Sequence, residues 1–557
     1  MQDGSQQNNR EFRIWGPPGT GKTTFLTRQV ALAGNKFGPS KILVTSFTKA
    51  AAIELSKRNQ SLCEEQIGTL HSICYRALGT PTIAETKIRF WNEAHPEYRL
   101  MLRTDTADDV DAPLLDEDRH VHGGGDELFG LLQILRARMV PPAQWPQNAQ
   151  RFAKAWADWK RIERLWDFTD MLEVASRELK VAPGDPQVIV VDEAQDLSRL
   201  QLLVLQQWAN HADCSLWAGD DDQGILSFAG ADPEALLETA GEECFREVLS
   251  QSYRVPRRVH ALAEAWIQRV TRREPKVYRP RPDDGEVRLL ARGNYRCPDA
   301  IVNDAEQYLA QGKTVMFLAT CAYMLAPLRR ILVERGLPFS NPYRLKRRDW
   351  NPLAHGIKTV RPVDRLQAFV KLQAGNGSPW HSHGLRLWLP WIRPDGVLTE
   401  EAIRWSKGQA HYLDPYPEEL FEPDALKLLI DAMQAGVPAS LEWWLHHLKV
   451  KHSETGEYLV KVAERHGISA LTDAPQIILG TVHSVKGGEA DAVYVFPDLS
   501  ASGVRQWAGS PKERDAVIRL AYVAITRARE SLILCGPAAS RYIPLEESLV
   551  KLGRGAS

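Results

Sequence analysis

The stretch Phe12-Arg13-Ile14-Trp15-Gly16-Pro17-Pro18-Gly19-Thr20-Gly21-Lys22-Thr23-Thr24 sets an apolar run, a glycine-rich turn and a helix-forming segment in immediate succession. A strand that delivers its chain into a helix N-terminus through such a turn is the context in which a phosphate cradle works. The glycines let backbone N–H groups turn inward, and the helix N-terminus adds positive potential. Lys22 is expected to reach the β and γ phosphates of a nucleotide, and Thr23 to ligate magnesium. An ordinary Gly/Pro-rich turn is the alternative. Every fixed position is filled and the flanks are correct, so the cradle is preferred, with Gly16, Pro17, Pro18, Gly19, Thr20, Gly21, Lys22, Thr23 and Thr24 as its residues.

Such a site needs an acid at the end of another buried strand. Val188-Ile189-Val190-Val191 runs directly into Asp192-Glu193-Ala194-Gln195-Asp196. Asp192 is expected to hold magnesium through water, and Glu193 to accept the proton of an attacking water. Alone, an Asp-Glu pair after a strand is most often a solvated turn; the upstream cradle reverses that weighting.

Further apolar, β-rich runs lie at 12–15, 41–45, 188–191 and 215–218, then at 314–318, 476–479, 492–496 and 531–534. Their continuous apolarity suits strands buried on both faces of a parallel sheet, so the expected fold is α/β, twice over. The expected boundaries are 1–78 with 167–252 for the first α/β domain and 253–340 with 475–557 for the second. Two mostly helical insertions fill the gaps at 79–166 and 341–474. The first carries an acidic run from Asp105 to Asp118; the second is rich in tryptophan, read as packing with base stacking as the lesser alternative.

At 557 residues the chain has room for several cores, about four at ~150 residues each. Hydrophobic residues make up 44% and charged residues 25%, an ordinary globular balance that excludes a disordered or fibrous chain. Because 69 basic residues nearly cancel 70 acidic ones, a nucleic-acid surface must be local. Cys63, Cys74, Cys214, Cys244, Cys297, Cys321 and Cys535 form no CxxC pair, which argues against a zinc or iron-sulfur site and fits a reducing compartment. The N-terminus has no signal or transit pattern and no apolar run approaches the ~20 residues that span a bilayer, so a cytoplasmic location without membrane contact is expected.

Asp192-Glu193-Ala194-Gln195-Asp196 and Gly219-Asp220-Asp221-Asp222-Gln223 occur with SFTKAAAIEL from Ser46, GTLHS from Gly68, DFTDML from Asp167, QSYR from Gln251, GTVHSVKGGEAD from Gly480 and LAYVAITRARE from Leu520. Read in this order, the series resembles the UvrD/Rep/PcrA branch of superfamily 1 helicases, strongly in the motifs and weakly across the insertions. The resemblance implies two RecA-like domains of the P-loop NTPase fold, with ATP and Mg2+ as cofactors. It makes Gln223 a γ-phosphate sensor and Arg254 and Arg527 arginine fingers. Tyr253 would stack on adenine, and Glu489 would contact the ribose or phosphate side of the cleft. Since the expected boundaries put both arginines in the second α/β domain and the cradle in the first, ATP would sit at a seam whose closure drives movement.

The same resemblance offers Phe47, Thr69, His71, Phe228 and His483 as nucleic-acid contacts, with ordinary polar packing as the alternative for both histidines. Phe228 stands where the family commonly has tryptophan. Basic clusters at Arg254, Arg257 and Arg258, at Arg269, Arg272, Arg273, Lys276, Arg279 and Arg281, and at Arg344, Lys346, Arg347 and Arg348 are candidate phosphate tracks or solvated faces.

Three departures stand out. The family's glutamine motif ahead of the cradle has no match, the second insertion is short, and Pro537-Ala538-Ala539 follows SLILCG where the family often has a duplex-splitting β-hairpin. The expected activity is ATP-dependent movement on single-stranded DNA, 3′ to 5′ as the resemblance implies, with unwinding at single-strand/duplex junctions, by a monomer whose protein partners the sequence does not name. A translocase that remodels protein–DNA complexes and a nucleotide-gated binding module of a phage or defence system are the alternatives.

Overall fold

The computed structural model describes residues 10–46, 62–101, 124–239, 244–345, 347–353, 360–372, 379–407 and 414–554. Its strands are β1 (Arg10–Trp15), β2 (Ile42–Ser46), β3 (Ile67–Gly68), β4 (Val188–Asp192), β5 (Cys214–Gly219), β6 (Phe245–Val248), β7 (Gln251–Pro256), β8 (Arg279–Arg281), β9 (Glu286–Leu290), β10 (Val315–Ala319), β11 (Phe339–Ser340), β12 (Ile477–Thr481), β13 (Ala490–Val495) and β14 (Ala528–Cys535). Every apolar run singled out above is one of these strands. The chain forms two compact units, residues 1–287 with 499–532 and 541–557, and residues 288–498 with 533–540. Residues 253–287, 499–532 and 541–557 thus group with the first unit, whereas the sequence expectation draws them into the second domain.

In the first unit a six-stranded sheet runs in the order β3-β2-β4-β5-β1-β6 with every pairing parallel. Side chains alternate along each strand, so the uninterrupted VIVV of β4 feeds two layers. Val188 and Val190 pack with Ile14, Leu26, Val30 and Val44, while Ile189 and Val191 pack with Leu43, Trp208 and Trp217. Burying each such side chain is worth roughly 1.5–3 kcal/mol, which is why the run has no polar position to spare. The cradle loop and the Asp192-Glu193 turn leave this sheet at the C-terminal ends of their strands, where open α/β sheets place ligands.

The first insertion is helical in its described part, with helices Ile88–Ala94, Gly124–Ala137 and Gln147–Glu163 around Trp91, Phe129, Phe152 and Trp156. Its anchor is charged. Arg136 and Lys160 both engage the fully buried Asp167, which also accepts from the Trp156 indole at 2.8 Å.

The second sheet runs in the order β11-β12-β10-β13-β14-β9, and β10 pairs in parallel with β12 and β13. Within the second unit the core is continuous from Phe317 and Tyr494 on the strands to Trp388 and Trp444 in the helical insertion. Trp350, Trp380, Trp388, Trp391, Trp405, Trp443 and Trp444 are all buried. Packing, not base stacking, is their role here. Among the described residues no helix is long and apolar enough to cross a membrane.

Candidate nucleotide site

The cradle is built by backbone constraints. Gly16 hydrogen-bonds through its N–H to the Gly219 carbonyl at 3.0 Å, tying the end of β1 to the end of β5. A Cβ on Gly16 would lie 2.1 Å from Cγ of Lys22, so the lysine side chain can fold across the loop only because that position is glycine. Lys22 Nζ donates to the Gly16 carbonyl at 2.7 Å, and Thr20 Oγ1 to the Pro17 carbonyl at 2.8 Å. Lys22 opens the helix Lys22–Phe37 and Thr23 follows it. Gly21, at φ 80°, turns the chain into that helix in the left-handed conformation.

Asp192 closes β4 and is buried; its Oδ1 accepts the Glu193 N–H at 2.9 Å. Glu193 has φ 52° in the left-handed region, an uncommon state for a residue with a side chain. Its Oε2 accepts from Gln195 Nε2 at 2.5 Å, and Gln195 Oε1 accepts the Asp220 N–H at 3.0 Å. Gln195 therefore joins the candidate base to the sensor loop. This role was not read from the sequence, although the residue sits inside the quoted DEAQD segment.

Asp220 holds Gln223, the candidate sensor. Its Oδ2 accepts from Gln223 Nε2 at 2.7 Å, leaving Gln223 Oε1 to accept from Arg527 Nη2 at 3.1 Å. Arg527 is buried and also donates from Nε to the Val523 carbonyl at 3.0 Å. Burial pushes the Asp220 carboxyl up, but Lys276 and Lys22 outweigh it and hold the group below its ordinary range. The field of Lys22 thus reaches the sensor loop.

β7 lies against the cradle in the same unit. The Tyr253 N–H donates to the Gly19 carbonyl at 2.8 Å, and Ser252 Oγ to the Pro18 carbonyl at 2.9 Å. Gly19 has φ 74°, and a Cβ there would fall 2.4 Å from Cβ of Arg254. Tyr278 Oη adds a second bond to the Pro18 carbonyl at 2.9 Å. Burial raises that hydroxyl's pKa, while the charges of Arg254 and Arg527 both pull it down, so both arginines act within electrostatic reach of a group bonded to the cradle. The Tyr253 ring is 73% exposed, open to stack on a flat ligand.

The basic run 269–281 divides. Arg273 forms a bidentate pair with Asp222, at 2.7 Å from Nη2, and the nearly inaccessible Lys276 lies 2.7 Å from Asp220 and 2.9 Å from Asp222, with Asp221 as its third partner. These two cations are committed to carboxylates and do not track phosphates. Arg269 stacks on Trp266 with its guanidinium carbon 4.3 Å from the ring centroid. Of the later cluster, Lys346 lies outside the described residues, and Arg347 sits 3.8 Å over the Trp350 ring and pairs with Asp349.

The expected polymer contacts have differing local settings. Phe47 lies outside the described residues. Thr69 is buried and caps the helix Leu70–Ala77 by accepting the Ser72 N–H at 3.2 Å. His71 is buried edge-on against Phe168, and burial lowers its pKa to about 4. Phe228 is half-buried in the turn Ser227–Ala229. In the second unit, His483 is half-buried after β12, and Glu489 is exposed just ahead of β13.

Residues 2–242 match the UvrD/REP helicase N-terminal domain family. The chain is 26% identical over 262 residues to the ATP-dependent DNA helicase UvrD2 of Mycobacterium tuberculosis, covering 40% of this chain and 35% of that protein. It is 26% identical to PcrA of Bacillus subtilis over 48% of this chain and 39% of that one. To the putative ATP-dependent DNA helicase YjcD of Bacillus subtilis it is 22% identical, over 94% of this chain and 76% of that one. The aligned stretch thus spans little more than a third of UvrD2 and PcrA, and about three quarters of YjcD. With a glycine-rich cradle, an Asp-Glu turn and Gln223 at the strand ends of one parallel sheet, the chain is similar to the UvrD/Rep/PcrA type of superfamily 1 helicases, and its residues 2–242 match the N-terminal domain of that family.

Proposed function

We propose that this protein is an ATP-dependent DNA helicase that moves 3′ to 5′ along single-stranded DNA and separates the duplex it meets in replication, repair or recombination. The observation that carries the reading is the convergence, in one unit, of the Lys22 cradle, the Glu193 turn, the Gln223–Arg527 pair and the β7 segment bearing Arg254. In this reading Glu193 takes the proton of the attacking water, and Gln223 orients that water. Arg254 and Arg527 neutralise the charge that spreads over the γ-phosphoryl oxygens as the bond to the β-phosphate breaks. The buried carboxylate of Asp192 and the hydroxyl of Thr23 are oxygen donors suited to Mg2+, which when bound would screen the phosphate charge. Tyr253 would hold the adenine face.

A second reading, a translocase that clears proteins from DNA with little strand separation, draws on the segment after β14. Residues 536–544 form no β-hairpin to split base pairs. ATP turnover measured with and without single-stranded DNA and RNA oligonucleotides tests the motor, and turnover indifferent to both would sink it. Unwinding and streptavidin displacement on one forked substrate then separate the two readings.

A further inference from the structure

Three carboxylates stand side by side at the start of the sensor loop, Asp220, Asp221 and Asp222, each at most 1% exposed. A buried charge survives only when paired and hydrogen-bonded. The pairing here is asymmetric. Arg273 takes only Asp222, while Lys276 reaches all three carboxylates from a single Nζ. Packing alone does not call for this. An apolar cluster of the same volume would be as stable or more so, which directs attention to what the ions orient.

They orient an amide. Asp220 divides its oxygens: Oδ1 takes Lys276 at 2.7 Å and the Asp222 N–H at 3.3 Å, and Oδ2 takes Nε2 of Gln223 at 2.7 Å. An amide whose N–H end is taken presents its oxygen in the opposite direction, and that oxygen receives Arg527. A Gln223 rotated by half a turn would face Arg527 with a second donor. Lys276 lies in the same short segment as Tyr278, whose hydroxyl holds the cradle at Pro18. One strap, 273–278, therefore fixes the sensor loop at one point and the phosphate loop at the other.

We infer that Lys276 is a positioning residue for ATP hydrolysis: by anchoring Asp220 it fixes the orientation of the Gln223 amide, and through it the Arg527 guanidinium, ahead of nucleotide binding. The inference rests on the nucleotide-hydrolysing reading of this site. It differs from the phosphate-tracking role that the position of Lys276 in a basic run suggested. Preorganisation of this kind acts on kcat and leaves ground-state nucleotide binding nearly unchanged.

The test compares wild type with Lys276→Met, Lys276→Arg, Asp220→Asn, Gln223→Ala and the Asp220→Asn/Gln223→Ala pair in the full chain. Readouts are ATP kcat and KM with saturating oligo(dT), and the affinity for a fluorescent ATP analogue. We expect Lys276→Met to lower kcat by about 10- to 100-fold with KM within about 3-fold, and Lys276→Arg to recover most of the loss. A Lys276→Met protein that turns over within 2-fold of wild type per folded molecule overturns the inference. Should that variant fail to fold, Asp220→Asn decides, because Lys276 keeps Asp221 and Asp222 as partners. Its loss and that of Gln223→Ala should fail to compound in the double variant, and losses that multiply defeat the proposed relay. Wild-type turnover without nucleic-acid stimulation would instead strike the motor reading, with the Lys276 comparison then made on basal turnover.

Discussion

Arg527 donates from Nη2 to Oε1 of Gln223 at 3.1 Å across 304 residues of sequence, and both side chains are buried. A planar, permanently charged guanidinium held this way is fixed before any phosphate arrives. Replacing Arg527 with alanine should lower ATP kcat by about 10³-fold, and lysine should rescue little because it is a flexible point charge without the fork. Steady-state hydrolysis with saturating oligo(dT) checks both variants, and an Arg527→Lys enzyme near wild-type rate would remove the finger role.

Lys22 and Glu193 separate binding from chemistry. Lys22→Ala should abolish turnover and weaken nucleotide binding. Glu193→Gln keeps the volume and the turn but cannot take a proton, so it should bind ATP with unchanged affinity and lose hydrolysis by about 10²-fold or more. Normal hydrolysis by Glu193→Gln would mean that another group is the base.

Glu85 sets a pH dependence of stability in the first unit. Its Oε1 accepts the Phe168 N–H at 3.2 Å, and burial, aided by the charge of Asp167, pushes its carboxyl up to about 8 from an ordinary value of 4.5. Between those values the folded state binds more protons than the unfolded chain, so this contribution is full below pH 4.5 and is lost as pH rises through 8. Glu85→Gln should flatten that slope. Urea unfolding at pH 5, 6.5 and 8 measures it, and identical slopes in wild type and variant would contradict the assignment.

His71 works in the opposite sense. Burial lowers its pKa from 6.5 to about 4, so its contribution to stability is present above 6.5 and fades as pH falls through 4. A neutral imidazole offers no charge to a phosphate at physiological pH. Fluorescence anisotropy with single-stranded DNA between pH 5.5 and 7.5 should therefore give the same pH slope for wild type and His71→Gln. A slope that disappears in the variant would return His71 to the polymer track.

Trp388 and Trp444 are completely buried in the second unit's core. Truncating either to alanine should destabilise that unit by about 3–5 kcal/mol while leaving single-strand affinity per folded molecule within about 2-fold. Thermal unfolding and anisotropy on the same samples test the pair of statements, and selective loss of affinity would revive base stacking.

What the sequence made legible follows the burial of each strand. β4 is apolar as far as Val191 and β10 throughout, so both declared themselves. β6 and β7 did not, because an edge strand with exposed Phe245 and a ribbon with exposed Tyr253 mix polar and apolar positions. The cradle and the Asp-Glu turn were readable because their chemistry is local. Lys276 was not: its partners lie more than fifty residues upstream, and a cation in a basic run looks the same whether it meets phosphate or a buried aspartate. The tryptophans of the second insertion show the same limit, since composition cannot distinguish a ring that fills a core from one that meets a base.

The left-handed turn at Glu193 has an evolutionary edge. Glycine or asparagine would relax that backbone, so selection for durability alone pulls position 193 away from glutamate while selection for turnover pulls it back. A library screened only for heat tolerance should drift there first, yielding proteins that outlast the parent and do no work.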